Sequence, residues 1–108
     1  MSRERPLTRN GLLPAAEADL YEVEAGVRLY LHTLSCQNPA GGATNTVSLY
    51  LEPAGGTSRL WAQAALAAGE RLELTDWLLA EGDTIRGTAT NASQVVWTLS
   101  GSLEDVGR

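Results

Sequence analysis

The sequence has one histidine and one cysteine, the residue types that most often act as bases, nucleophiles and zinc ligands. Cys36 therefore has no partner for an internal disulfide, and it cannot form a zinc site with His32 alone. The alternation of residues around them places both on the same face of one strand, about 13 Å apart at roughly 3.3 Å per residue. Because a nucleophile must hydrogen-bond to its base, we predict no catalytic residues and no metal site.

Lysine is absent, and all eight basic residues are arginines. Arg3, Arg5 and Arg9 against Glu4 give residues 1–16 a charge of +2, which leaves −7 on the rest of a chain whose net charge is −5. Nucleic-acid binding depends on a concentrated positive surface that displaces counterions from phosphates. The acidic body therefore predicts that nucleic acid is not a partner.

Long hydrophobic runs are also missing. No stretch approaches the roughly 20 apolar residues that span a bilayer, so no membrane partner is expected. The N-terminal residues contain no apolar segment of the kind found in secretory signals, which predicts synthesis in the cytoplasm. The pairs Gly41-Gly42 and Gly55-Gly56 lack the surroundings of phosphate-binding loops, so no cofactor is expected.

The sequence does contain a repeated alternation of apolar and polar residues, clearest in residues 27–33, 46–52 and 95–103. A period of two is typical of a strand with one buried face. The apolar phases predict a core made of Val27, Leu29, Leu31, Val47, Leu49, Leu51, Leu72, Leu74, Ile85, Val95, Trp97 and Leu99.

Glycine-rich turns separate the alternating segments, and the Asn-Ala-Ser sequence at residues 91–93 is expected to close the last hairpin. Residues 60–68 are rich enough in alanine for a short helix, but their alternation favours a strand. Seven to eight strands with such turns predict an all-β fold, an antiparallel β-sandwich of jelly-roll type, on residues 17–108.

Residues 1–16 show neither helical nor strand periodicity and contain Pro6, Gly11 and Pro14. We interpret them as an extended N-terminal arm. Such an arm is either a frayed terminus or a basic segment that lies on an acidic neighbour, for example another copy of this chain.

Three carboxylates, Asp76, Glu81 and Asp83, lie close together in the sequence. A calcium loop needs alternating ligands, and their spacing does not provide them. We therefore predict a turn at residues 82–84, in which the Asp83 side chain bonds nearby backbone.

Aromatic residues indicate contact surfaces. Phenylalanine is absent, and Tyr30 and Tyr50 fall on outward phases of their strands, while Trp61 and Trp77 flank turns. Any one of them can instead pack under a loop, but exposed Tyr and Trp are typical of interfaces. The interface candidates are Arg3, Arg5, Arg9, Tyr30, Tyr50, Trp61 and Trp77.

Four short motifs resemble small virion structural proteins of tailed bacteriophages, over about residues 18–105. They are Leu34-Ser-Cys-Gln-Asn38, Leu49-Tyr-Leu-Glu-Pro-Ala-Gly-Gly56, Leu79-Ala-Glu-Gly-Asp-Thr-Ile85 and Ser100-Gly-Ser-Leu-Glu104. The chain departs from that pattern at residues 105–108, which run past the usual end.

This resemblance implies a non-enzymatic β-sandwich in the virion. The implied partners are other copies of the chain, as a dimer or trimer, and virion proteins such as the major capsid protein. Capsid decoration is the preferred role, and a neck, tail or baseplate role is the alternative. A different class remains open from the residues alone: a carbohydrate-binding or adhesin module, in which Trp61 or Trp77 beside Asp76 stacks on a sugar ring.

Overall fold

The computed structural model describes residues 4–106, whose regular elements are all β-strands. The strands are β1 (Glu4–Leu12), β2 (Ala18–Glu22), β3 (Val27–Gln37), β4 (Asn45–Glu52), β5 (Arg59–Leu66), β6 (Arg71–Leu79), β7 (Thr84–Ala89) and β8 (Val96–Asp105). This confirms the predicted all-β fold. Residues 4–106 form no helix that could span a bilayer.

The eight strands form two antiparallel sheets of four. Sheet A has the order β1-β8-β3-β6, and sheet B has the order β2-β7-β4-β5. Apart from β4 and β5, consecutive strands lie in opposite sheets, which is the arrangement of an eight-stranded jelly roll. The prediction that residues 91–93 close a hairpin is therefore wrong, because this segment carries the chain from β7 in sheet B to β8 in sheet A.

The core lies between the two sheets and contains all twelve predicted residues. Leu51, Leu72 and Leu74 are half-buried against it, and the other nine are buried. Leu72 and Leu74 keep some exposure because β6 is an edge strand with one open side. The structure adds buried Leu7, Leu13, Tyr21, Val23, Leu34, Cys36, Leu66, Leu79, Ala89 and Leu103.

Residues 60–68 lie largely in β5 and are not helical. β5 pairs with β4 from Asn45 opposite Leu66 to Leu51 opposite Arg59. The register shifts once, between the pairs made by Leu49 and Tyr50. Backbone bonding to β4 therefore outweighs the helix propensity of the alanines, as the alternation predicts.

Much of the segment interpreted as an extended arm belongs to sheet A. Residues 4–12 are extended and pair along their whole length with β8. Strand periodicity is invisible there because Leu7 is the only buried side chain of β1. The functional division of the chain at residue 16 stays a prediction.

The outer edge of β1 is partly blocked against further strand pairing. The Leu13 N–H donates to the Val95 oxygen at 2.9 Å. The backbone N–H and C=O groups of odd-numbered residues in β1 therefore point toward β8, and those of even-numbered residues point toward the free edge. At that edge Pro6 lacks an N–H, and the Arg9 guanidinium donates to the Thr8 carbonyl at 3.0 Å. Both features are typical of protected edge strands.

A β-bulge interrupts β3. Its register with β8 shifts between Leu31 and Thr33, which leaves His32 as an extra residue. The next inward-facing residue after Leu31 is therefore Leu34, three positions along the chain. As a result Cys36 is buried while His32 is exposed. The expectation that His32 and Cys36 share a face is wrong for this reason.

An asparagine network fixes the loops at one end of the sandwich. The Asn38 side chain is fully buried, and its amide donates to the carbonyls of Ala43, Leu66 and Ala67 at 2.9, 3.0 and 3.1 Å. Its oxygen accepts a bond from the Asn45 amide at 2.9 Å. Asn38 thereby joins the β3–β4 and β5–β6 loops.

The turn predicted at residues 82–84 is present at the opposite end. Gly82 has a φ of 85°, in the left-handed region that glycine adopts without strain. The Asp83 carboxylate accepts bonds from the N–H groups of Ala80 at 3.0 Å and Ala54 at 3.3 Å. The carboxylate therefore bonds backbone, as expected, and ties this turn to the β4–β5 loop.

Candidate functional site

The predicted interface residues lie on separate surfaces. Arg3 is outside the described residues. Arg5 forms an exposed ion pair with Asp105 at 3.3 Å, and the Arg9 guanidinium lies 5.8 Å from the centre of the Tyr21 ring. In the described structure these two arginines therefore contact the chain's own body.

Tyr50 lies on the outer face of sheet B, opposite Arg86 in the neighbouring strand. That face is charged. Arg86 pairs with carboxylates of Asp19 at 2.8 Å, Glu17 at 2.9 Å and Glu52 at 3.5 Å. One guanidinium thus faces three carboxylates, and the cluster carries a net negative charge.

Trp61 and Trp77 meet where β5 and β6 run along the same side of the sandwich. Their rings pack edge to face, with centroids 5.0 Å apart. Trp77 lies opposite inward-facing Leu31, while Trp61 is half-buried against the core. Much of their apolar surface therefore closes the seam between the sheets.

Tyr30 lies in a side-chain cluster on the outer face of sheet A. Its hydroxyl donates to Asp76 Oδ1 at 3.0 Å, and its ring centroid is 4.6 Å from that of His32. His32 Nε2 lies 3.1 Å from Ser102 Oγ. The hydrogen bond to Asp76 is the main cause that raises the pKa of Tyr30 above its ordinary value, since it stabilises the protonated phenol.

Local backbone irregularities produce this cluster. The bulge turns the His32 side chain outward, and across the sheet Asp76 has a φ of 62°, rare for a residue with a side chain. The β3 backbone also passes so close to Gly101 that a Cβ there would clash with the Tyr30 carbonyl oxygen. Bulges of this kind re-aim side chains and occur often at functional sites.

A groove adjoins the cluster and consists of two hollows that share Arg28 and Leu78. The larger, about 300 Å³, also borders Val27, Ala80 and Val106. The smaller, about 180 Å³, is lined by Glu4, Arg28, Tyr30, Leu78, Ser102 and Glu104. Arg28 donates to Glu104 at 2.7 Å, and Leu78 is 64% exposed. The groove therefore has an apolar floor with charged groups at its rim.

The arrangement is suited to binding by contact. Ser102 and His32 form a hydroxyl–imidazole pair, but within residues 4–106 no carboxylate bonds the imidazole to orient it as a base. Burial raises the pKa of Cys36 to about 12, so its thiol is not an activated nucleophile. In the same range, no group of three His, Cys, Asp or Glu side chains could hold a metal ion.

Leu78 and Ser102 were not identified from the sequence, and Asp76 was named there only as a carboxylate near a turn and beside a sugar-stacking Trp. A signal for them exists: the spacing of inward residues changes from two to three between Leu31 and Leu34 and again between Leu74 and Trp77. Such a break in the alternation marks a bulge, but it does not say which strands lie side by side.

Comparisons with known proteins give a fold. No protein-family model matches the chain, and no curated protein matches it. A protein of Bacillus endospore appendages, described as a family of disulfide-linked pili, has a TM-score of 0.60 at 11% identity over 99% of this chain and 89% of that one. This likeness shows the fold alone.

Two further solved structures are less similar. They are the CBM22-1–GH10 modules of Clostridium thermocellum xylanase 10B with xylohexaose (TM-score 0.46, 13% identity, 97% of this chain and 26% of that one) and the Gx strain of infectious bursal disease virus (TM-score 0.47, 15% identity, 96% and 32%). This chain spans about a third or less of either.

Proposed function

We propose that this chain is a non-enzymatic structural protein of a tailed-phage virion that acts by contacting other protein surfaces. The observation that carries the proposal is the outer face of sheet A. It presents the exposed side chains of Tyr30 and Leu78 beside a groove, and no other described element covers it. Exposed apolar and aromatic groups with a polar rim are typical of protein contact sites.

The fold likeness to the spore-appendage protein fits an assembly role, since that protein is from a family of disulfide-linked pili. The means of assembly must differ, because that family is disulfide-linked. Cys36 is the chain's one cysteine and is fully buried. Any assembly of this chain therefore depends on non-covalent contacts while the domain is folded.

Within a virion, capsid decoration is the role we prefer, with the major capsid protein as partner. A small rigid sandwich with an exposed face and a basic N-terminal segment suits bridging between capsid subunits. Arg5 and Arg9 would then exchange their contacts with Asp105 and Tyr21 for acidic groups of the neighbour. A neck, tail or baseplate position is the alternative.

Co-sedimentation with purified particles tests the role. The full chain is mixed with separated phage heads and tails, and the bound copies are counted. Binding to heads in a fixed ratio supports decoration, and binding to tails alone supports the alternative. Failure to bind heads, tails or their major proteins would contradict the virion role.

A second candidate, a carbohydrate-binding module, is favoured by one observation. Asp76 has an unfavourable backbone conformation and precedes Trp77 in the sequence. Its carboxylate accepts a hydrogen bond from the Tyr30 hydroxyl, so a polar group is fixed in place beside aromatic rings. Titration with a glycan panel while tryptophan fluorescence is recorded tests this. The expected result is a saturable shift that Asp76→Ala removes; an unchanged spectrum across the panel rejects the candidate.

A further inference from the structure

The exposed apolar side chains are concentrated on the outer face of sheet A. Six large apolar residues among those described are exposed, and four of them lie on this face. Leu12 and Val96 are paired at one end of the sheet, where they are 52% and 43% exposed, and Tyr30 and Leu78 are paired at the other. The face therefore has an apolar patch at each end.

Between these patches strands β1, β8 and β3 present a band rich in hydroxyl groups, whereas Arg71, Glu73 and Asp76 lie on the edge strand β6. β1, β8 and β3 place there the side chains of Thr8, Asn10, Thr33, Ser35, Thr98 and Ser100. A hydroxyl group both donates and accepts hydrogen bonds. A band of hydroxyls can therefore bond to an identical band, whereas a band of like charges repels its own copy.

Charge distinguishes the two faces of the sandwich. On sheet A the charged groups lie at the perimeter, and Arg28 there is paired with Glu104. On sheet B the cluster of Arg86 with Glu17, Asp19 and Glu52 is net negative. Two copies brought together through sheet B would place the Arg86 and Glu52 side chains of its two middle strands within the contact. On sheet A the carboxylates lie on the edge strand β6 and at one end of the sheet, away from the middle of the face.

The area of the face is sufficient for a reversible dimer. Four strands about 4.8 Å apart and about 30 Å long present roughly 600 Å². Two such faces bury about 1,200 Å², which is the lower end of the range for specific interfaces. Interfaces at this end of the range are typical of transient, reversible complexes.

We propose that two copies of this chain pair face to face through the outer face of sheet A, about a two-fold axis. The same patch is then used by both partners, as in most homodimers. The proposal rests on the proposed assembly function, and it names the partner as a second copy and the contact as the hydroxyl band between its apolar ends.

A matched pair of threonine substitutions tests the contact. Thr98 lies in the middle of the sheet A face, and Thr46 is an exposed position on the outer face of sheet B. Thr98→Arg places a charge that has no partner in the interface, whereas Thr46→Arg adds the same charge away from it. Sedimentation equilibrium of the full chain over about 1 to 500 μM gives the dimer dissociation constant.

We expect Thr98→Arg to raise the dissociation constant at least about tenfold and Thr46→Arg to change it less than about twofold. Thr8→Arg, at the edge of the same face, is a second variant expected to weaken the dimer. Circular dichroism establishes that each variant is folded. A wild-type chain that stays monomeric, or equal effects of Thr98→Arg and Thr46→Arg, would overturn the pairing.

The pairing and the virion role fail separately. A monomer that still binds phage heads overturns the pairing and leaves the virion role intact. A dimer that is sensitive to Thr98→Arg but binds no particle supports the pairing and contradicts the virion role.

Discussion

At the scale of single residues, Cys36 shows how burial governs chemistry. The side chain is fully buried in β3, and desolvation raises the pKa of the thiol from 9.0 to about 12. The native thiol therefore stays protonated at pH 8, and we expect a colorimetric thiol reagent to label it only after unfolding. The control is a Cys36→Ala/Thr46→Cys variant, whose exposed thiol reacts at once. Rapid labelling of the native chain would contradict the burial.

The same pKa difference has a consequence for stability. The folded state favours the protonated thiol. The stability gained from this preference is complete below pH 9 and is lost as the pH rises from about 9 toward 12. Urea unfolding at several alkaline pH values should show that the free energy of unfolding falls more steeply with pH in the wild-type chain than in Cys36→Ala. Equal slopes would contradict this assignment.

Asn38 is a second residue whose surroundings fix its role. Asn38→Asp is nearly isosteric, but it puts an acceptor and a charge where the amide donates to three carbonyls. We expect a loss of about 2–4 kcal/mol in the free energy of unfolding at pH 7, measured by urea denaturation. Asn10→Asp, at an exposed position of β1, is the control and should cost less than about 0.5 kcal/mol when the chain is dilute enough to be monomeric. Similar losses in both variants would count against the network.

At the scale of elements, the irregularity around Asp76 decides which side chains of β3 and β6 reach the outer face. Its φ of 62° is tolerated by Asp and by Gly but is costly for a β-branched residue. We expect Asp76→Val to lower the free energy of unfolding by about 1–2 kcal/mol and Asp76→Gly to stay within about 0.5 kcal/mol. Thermal or urea unfolding measures both. A harmless Asp76→Val would show that the backbone conformation at residue 76 carries no strain.

At the scale of the whole molecule, the question is whether β1 belongs to the sandwich. A chain of residues 17–108 lacks the buried Leu7 and Leu13 and leaves the edge of β8 unpaired. Each of these leucines contributes about 1.5–3 kcal/mol, against a total stability of about 5–15 kcal/mol for a typical domain.

We therefore expect residues 17–108 alone to be largely unfolded or to aggregate through the open edge. Far-ultraviolet circular dichroism and light scattering measure these outcomes, with residues 4–108 as the control. A stable, monomeric 17–108 chain would support an arm that is separable from the domain.

Features that depend on neighbouring residues follow from the amino-acid sequence alone. Alternation predicts the strands and the inward side chains from Val27 to Leu99, and the turn at Gly82-Asp83 follows from local chemistry. The strand assignment of residues 60–68 follows from the same alternation. These are local properties, since side-chain period and turn geometry involve only a few adjacent residues.

Which strands are neighbours becomes known only from the folded chain. β1 pairs with β8 across almost the whole chain, and Tyr30, Asp76 and Ser102 meet from three separate strands. The bulge at His32 is likewise set by how β3 fits against β8 and Gly101. A period of two defines the two faces of each strand but carries no information on its partners, so the contact face of sheet A exists only once distant strands have paired.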